Sequence, residues 1–399
     1  MNRFKSVGTA LATSLLLLCI GSPGALADHA SVGCRDPKGC IKINPGNPIR
    51  IATIQTLSGP NEFFGLELQQ SVEVAAAVRG YVVAGHPIGL SFFDDQCSGD
   101  GGEAAAEAIA DENRILAVVG TTCSGAALTA APILTGEAII MGSSSNTANV
   151  LTTFGHDYFR VVPPDSEQAA VAARFALEVL GATTAVTIRA ENILYAEGLE
   201  QGFLDEFTGT VFDRHVATAG QDLTDVVDAL ASNVPEVLFA ATGPAISIPL
   251  IQAIREIEAL DDMIFMSGDA SLTNGFRETG VAEGAFLTGP QTNFESDAYD
   301  EFVAIYSEMF PDTPLATPYH AHSIDVANLI FDAIETVAFT DKHGRLVIRK
   351  GAFQTTILAT ENYEGLSGTI TCQPNGECAT GAFVVFQVQD GEFVPIPFE

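Results

Sequence analysis

The chain has 399 residues, with 18 Lys and Arg against 50 Asp and Glu and a formal net charge of −32. A surface of that sign repels phosphate backbones and anionic lipid, which argues against nucleic-acid binding and peripheral membrane attachment. Hydrophobic residues at 47% and charged residues at 17% exclude a disordered chain, and the length suggests two domains of somewhat under 200 residues each, about what one core serves.

Residues 1–27 read as an export signal. Arg3 and Lys5 form a cationic start, an apolar run covers 10–20, and Ala25-Leu26-Ala27 supplies the small residues that signal peptidase requires. Cys19 makes no lipoprotein site, because Leu18 stands where that processing needs a small side chain. The mature chain then begins near Asp28 with a Cys-containing leader over 28–47, and the expected location is the periplasm or the outer face of the cell membrane. The apolar stretch 115–141 is broken by Gly120, Gly125, Pro132, Gly136 and Glu137, so it reads as strand, turn, helix, turn and strand and not as a membrane span.

In chain order, strands are expected over 49–57, 88–93, 115–119 and 138–141, with helices over 64–79, 102–113 and 126–135 between them. The paired prolines Pro163 and Pro164 mark an extended crossover. Beyond it the pattern repeats, with helices over 166–180, 196–207, 223–232 and 245–259 and strands over 185–188, 210–216, 237–240 and 263–266. Helices over 297–309 and 318–338 precede an antiparallel tail in which 368–372 and 383–388 flank a cysteine loop. Such alternation predicts an α/β fold with two mostly parallel sheets, each covered on both faces.

Apart from Cys19 there are six cysteines, an even number that in an oxidising compartment favours disulfides over a metal site or a catalytic thiol. Fifteen pairings are formally possible; the expected ones are Cys34 with Cys40, Cys97 with Cys123 and Cys372 with Cys378. Cys123 as a nucleophile lacks a motif that places a His beside it. His320 and His322 are close in sequence, but a spacing of two puts them on different helix faces, so no metal is expected. Asp94 and Asp95 read as turn and sheet-edge structure.

In open parallel sheets ligands bind beyond the carboxyl ends of the strands. The residues there are Ser58 to Pro60, Asp94 to Gln96, Thr121 to Ser124, Gly142 to Thr147, Glu191 to Tyr195, Thr242 to Pro244, and Gly268 with Asp269. They are rich in hydroxyls and helix-start N–H groups and poor in cations, which suits a small carboxylate. No Gly-x-Gly-x-x-Gly follows the first strand and no Walker Gly-Lys-Ser occurs, so no nucleotide or other cofactor is expected.

Ile-Gln-Thr-Leu-Ser-Gly-Pro at 54–60, Phe-Phe-Gly at 63–65, Asp-Asp-Gln-Cys at 94–97, Cys-Ser at 123–124, Ser-Ser-x-Thr at 144–147 and Tyr-Ala-Glu-Gly at 195–198 together resemble the type I periplasmic binding proteins of branched-chain amino-acid ABC transporters. The resemblance runs from about residue 48 to the C-terminus. It implies two Rossmann-like lobes joined by three crossovers around a central cleft, lobe 1 being 48–163 with 290–365 and lobe 2 being 164–289 with 366–399. It further implies that Ser124, Ser145 and Thr147 hold a ligand carboxylate, that Asp269 pairs with its ammonium group, and that Phe64 and Tyr195 flank its side chain. Asp269 stands where the family has Glu, and Thr242 where it often has Tyr, which departs from the branched-chain pattern.

Helix capping competes as an account of Ser124, Ser145 and Thr147, a turn role for Asp269, and core packing for Tyr195 and Phe64. The expected function is solute binding for an ABC importer: an amino acid or a related small amide or carboxylate is taken up by lobe closure and handed to permease subunits in the membrane, with no chemistry performed. The rivals are the sensing subunit of a receptor or two-component system, and an exported hydrolase, for which no nucleophile elbow or metal motif is present.

Overall fold

The computed structural model describes residues 34–112, 114–292, 294, 296–379 and 383–398. The export signal expected at 1–27 lies outside the described residues. β1 (Cys40–Ile43) comes first in the chain. β2 (Ile49–Gln55), α1 (Glu62–Val78), β3 (Val82–Val83), β4 (His86–Asp94), α2 (Gly99–Asp111), β5 (Ile115–Gly120), α3 (Ser124–Gly136), β6 (Ile140–Ser143) and β7 (Tyr158–Arg160) follow. Their sheet has the order β3-β4-β2-β5-β6-β7 and is parallel except at β3. Every residue of β5 is buried, as an apolar strand covered by helices on both faces must be.

The chain then crosses into a second lobe with α4 (Asp165–Glu178), β8 (Thr184–Ala190), α5 (Leu194–Glu206), β9 (Thr210–Ala217), α6 (Thr224–Ser232), β10 (Val237–Ala241), α7 (Pro244–Arg255), β11 (Ile264–Ser267), α8 (Asn274–Arg277) and β12 (Phe286–Gly289). It returns to the first lobe for α9 (Asp297–Met309), α10 (His320–Val337), β13 (Phe339–Thr340), β14 (Leu346–Arg349), α11 (Lys350–Leu358), β15 (Tyr363–Glu364) and β16 (Thr369–Ile370). β17 (Val384–Gln389) and β18 (Glu392–Ile396) finish the second sheet, whose order is β18-β17-β12-β11-β10-β8-β9. β17 and β18 pair antiparallel at its edge, and the other strands are parallel. The result is two α/β lobes joined by three crossovers.

Two boundaries differ from the sequence expectation. Residues 40–43 are not a separate leader, because β1 pairs with β14 and buries Ile41 and Ile43 in the first core. The third crossover falls after Cys378 and not at 365, since Ile370 and Cys378 also pack into that core. α11, unforeseen because Gly351, Thr355 and Thr356 are weak helix formers, buries Phe353 and Ile357. Its first turn is capped from afar: the Asp36 carboxylate accepts from the N–H groups of Gly351 (3.0 Å) and Ala352 (3.1 Å). Disulfides join Cys34 to Cys40, Cys97 to Cys123 and Cys372 to Cys378.

Candidate functional site

The carboxyl ends of β2, β4 and β5 are drawn together by one buried carboxylate. Asp95 accepts from Thr56 Oγ1 (2.6 Å), Cys97 N (2.8 Å) and Thr122 N (3.2 Å), and burial raises its pKa. Asp94 accepts from Leu57 N (2.8 Å) and Ser58 Oγ (2.5 Å). The two acids therefore organise the strand-end turns. Asp95, fully buried, does so from the inside and not from a sheet edge.

Ser124 opens α3, where the first N–H groups have no carbonyl within the helix to bond. Its hydroxyl accepts from Ala148 N at 3.2 Å, tying α3 to the loop after β6. In that loop Ser145 Oγ donates to the carbonyls of Thr122 (2.9 Å) and Thr121 (3.3 Å). Ser143 Oγ accepts from Asn146 N (3.0 Å) and Ser145 N (3.3 Å). Thr147 is buried, and its carbonyl accepts from Asp165 N at 2.8 Å, the first contact of the crossover. The structure thus brings Ser124, Ser145 and Thr147 together on one wall.

Arg160 holds this wall from behind. Its Nη1 donates to the carbonyls of Asn146 (3.1 Å) and Ala148 (3.0 Å), while Nε and Nη2 fork onto Glu377 at 2.8 and 2.7 Å. Glu377 arrives in the Cys372–Cys378 loop, where Gly376 accepts from Arg160 N (3.0 Å) and Cys378 N donates to Arg160 O (2.8 Å). That loop therefore extends the first sheet beside β7 and is not a hairpin with β17.

The opposite wall belongs to the second lobe. Asp269, after β11, accepts from Tyr195 Oη at 2.8 Å and from Tyr319 Oη. Burial raises the Asp269 pKa, and the bonds from Tyr319, Tyr195 and Gln168 pull it back. Both phenols are driven well above their usual range, first by burial and then by the Asp269 charge. Thr242 is committed elsewhere: its hydroxyl shares a hydrogen bond with Ser247 Oγ (2.6 Å), and its carbonyl accepts from Ser271 Oγ (2.8 Å).

Tyr319 was not singled out in the sequence, yet it joins the lobes. It precedes α10 in the first lobe, and its ring lies 6.0 Å from that of Phe64. Glu67 of α1 anchors the segment before it, accepting from Ala316 N (2.7 Å) and Thr317 Oγ1 (2.8 Å). Asn274 Nδ2 of the second lobe donates to Leu315 O at 3.0 Å. His320 spends Nδ1 on Glu67 (3.0 Å) and Thr317 O (2.8 Å) and Nε2 on the Tyr299 hydroxyl (2.7 Å).

Asp165, the first residue of α4, was also missed, because an acid in a first helical turn is ordinary. It is fully buried. Burial lifts its pKa well above the carboxylate range, with the Thr147 side chain lowering it and the Asp269 charge adding to the rise.

A protein-family model described as periplasmic binding protein matches residues 48–392. The Leu/Ile/Val-binding protein of Escherichia coli (strain K12) is 26% identical over 275 residues, covering 63% of this chain and 72% of that protein. The leucine-binding protein of Thermotoga maritima superimposes with a TM-score of 0.77 at 23% identity, covering 88% of this chain and 98% of that one. A branched-chain amino-acid transporter substrate-binding protein of Streptococcus pneumoniae, solved with isoleucine, gives 0.78 at 18% identity over 88% and 99% of the two chains. A solute-binding protein from R. palustris, solved with benzoate, gives 0.75 at 15% identity over 88% and 96%. Two parallel-sheet lobes, three crossovers and a family match over most of the chain place this protein in the periplasmic binding protein family.

Proposed function

We propose that the protein is the extracytoplasmic solute-binding component of an ABC importer, that it takes an amino acid, and that it delivers it to permease subunits without chemistry. The observation that carries this is the pairing of two unlike walls. The helix start at Ser124 and the Thr147 side chain belong to one lobe, with Ser145 fixing the loop between them through the Thr121 and Thr122 carbonyls, and the buried carboxylate of Asp269 belongs to the other. Such walls complement the two ends of a zwitterion: neutral donors suit a carboxylate without a cation, and a buried carboxylate suits an ammonium. Tyr195 and Phe64 flank the space between. Closure follows from the same arrangement, since a ligand bonded to both lobes favours the closed state by its differential affinity.

A thermal-shift screen of the twenty amino acids, small amides and small carboxylates, followed by calorimetry, tests this, because a ligand at 100 times its Kd stabilises by about 2.7 kcal/mol. At least one amino acid is expected to shift the melting temperature. A flat response to all twenty refutes the amino-acid assignment.

A further inference from the structure

The pole of the first lobe away from the cleft carries a cavity of its own. Its volume is about 460 Å³, and it is lined by Cys40, Ile41, Lys42, Arg114 and Lys350. Three separate segments bring the cations there. Lys42 lies on β1 opposite Val347 of β14, Arg114 immediately precedes β5, and Lys350 opens α11. The place in the fold follows from two of them. Arg114 stands at the amino end of β5, whereas the candidate site lies at the carboxyl ends. Lys350 Nζ reaches Glu137 O at the far end of α3, about 20 Å along that helix from Ser124. Elsewhere in this acidic chain cations meet carboxylates, as Lys38 meets Asp157, Arg50 meets Glu112 and Arg345 meets Asp341. Among the described residues no carboxylate lies within ion-pair distance of Lys42, Arg114 or Lys350. The half-buried Lys350 ammonium donates to Glu137 O at 2.7 Å and keeps two N–H groups. Burial lowers its pKa, and the Glu137 charge pulls it back.

Arg114 adds a second observation. Its φ is 89°, in the left-handed region that Gly adopts freely and an Arg does not. The chain thus keeps a guanidinium at a turn that Gly would make with less strain, and gives it no acid of its own to meet. Like charges gathered without a counter-charge repel one another, and an anion that joins them relieves the repulsion. The guanidinium supplies a planar fork and the ammonium groups supply point charges, the donor set that suits the oxygens of a phosphate group. We propose that Lys42, Arg114 and Lys350 form an anion site for free phosphate, remote from the cleft and independent of the solute bound there. A free ion suits the site better than the phosphate headgroups of a bilayer. The net charge of −32 repels an extended anionic surface, while a small ion inside the cavity lies within one Debye length, about 8 Å, of all three cations.

Thermal unfolding of the full chain in sodium phosphate, set against sodium chloride at equal sodium concentration, tests this. The match matters because sodium alone stabilises a chain of this charge by screening. At about 20 mM, phosphate is expected to raise the melting temperature by about 2 °C or more over chloride, and calorimetry then gives its Kd. Lys42→Gln is expected to weaken phosphate by about tenfold. Arg114→Gly is expected to abolish the phosphate effect without lowering the melting temperature in chloride, because Gly adopts a positive φ freely. Both side chains are exposed, so neither variant should disturb folding. If Arg114 served the fold alone, its replacement would lower the melting temperature and leave the phosphate effect intact, which overturns its assignment. Equal stabilisation by the two salts means screening only and overturns the site. A phosphate-specific rise that survives in both variants puts the ion elsewhere and overturns it as well. Sedimentation with vesicles of phosphatidylcholine and phosphatidic acid separates the two sources of phosphate: capture by these vesicles without any response to inorganic phosphate overturns the free-ion assignment.

Discussion

Replacing Glu377 by Ala tests how the candidate carboxylate wall is held. Arg160 is fully buried, and Glu377 is its ionic partner through a fork of 2.8 and 2.7 Å. Stranding a buried charge by deleting its partner costs about 3–5 kcal/mol. Two features put the value near the lower end: Nη1 keeps its bonds to Asn146 O and Ala148 O, and the Glu377 side chain is 18% exposed, so water reaches the vacated space. A loss of about 3 kcal/mol is expected for Glu377→Ala, and roughly half of that for Glu377→Gln, which retains one neutral acceptor. Urea unfolding followed by circular dichroism measures both, with the disulfides intact. The loop bearing Ser145 and Thr147 hangs on the same guanidinium, so amino-acid affinity falls in step with stability. A loss below 1 kcal/mol for Glu377→Ala refutes the reasoning, because it means that the desolvation cost of the pair already cancels its attraction.

Burial raises the Asp325 pKa from 3.8 to about 6 despite three donors. The folded state thus holds a proton that the unfolded state has lost, so its contribution is present below pH 4 and fades, by roughly 3 kcal/mol in all, as pH rises through 6. His322 runs the other way: burial and the neighbouring His320 lower its pKa from 6.5 to about 3. Its contribution is complete above pH 6.5 and falls by about 1.4 kcal/mol per unit below it, reaching about 2 kcal/mol at pH 5. The two slopes oppose each other in wild type. Unfolding titrations should therefore show a steeper acid loss in Asp325→Asn and a shallower one in His322→Asn, and unchanged slopes in both refute the assignments. Gly376→Ala is expected to cost about 3 kcal/mol or more, since φ there is 89° and a Cβ would lie 2.1 Å from Tyr158 O; a melting temperature within 1 °C of wild type would count against the sheet-extending role of the cysteine loop.

The alternation of strands and helices was legible because both sheets are mostly parallel and covered on both faces, so each strand is a plain apolar run, as in β5 and β10. That Ser124, Ser145 and Thr147 come together was legible because all three follow strands of one parallel sheet. What was hidden depends on contacts between distant segments. The cap that makes 350–358 a helix is Asp36, more than 300 positions upstream. The Cys372–Cys378 loop was expected between two antiparallel strands of the tail, yet its Glu377 bridges to Arg160 at the edge of the first lobe's sheet. Tyr319 carries no local signal, because its hydroxyl finds Asp269 only once the lobes meet. Asp165 reads as an ordinary helix-start acid, and its lack of partners is a property of the assembled cleft.

The net charge of −32 acquires a second meaning from that cleft. From composition alone the acidity belongs to the outer surface, with neutral hydroxyls and N–H groups left to serve the site. The structure buries Asp165 as well as the expected Asp269 and leaves the nearby Arg160 neutralised by Glu377. The long-range field opposes a simple carboxylate approaching the cleft, whereas a zwitterion carries no net charge for it to repel. Raising ionic strength should accordingly speed the association of deaminated acids while leaving that of amino acids nearly constant, since screening acts on net charge. Stopped-flow rates at 20 and 500 mM salt separate the two cases. Equal salt dependence for an amino acid and its deaminated acid would mean that the surface field does not reach the cleft.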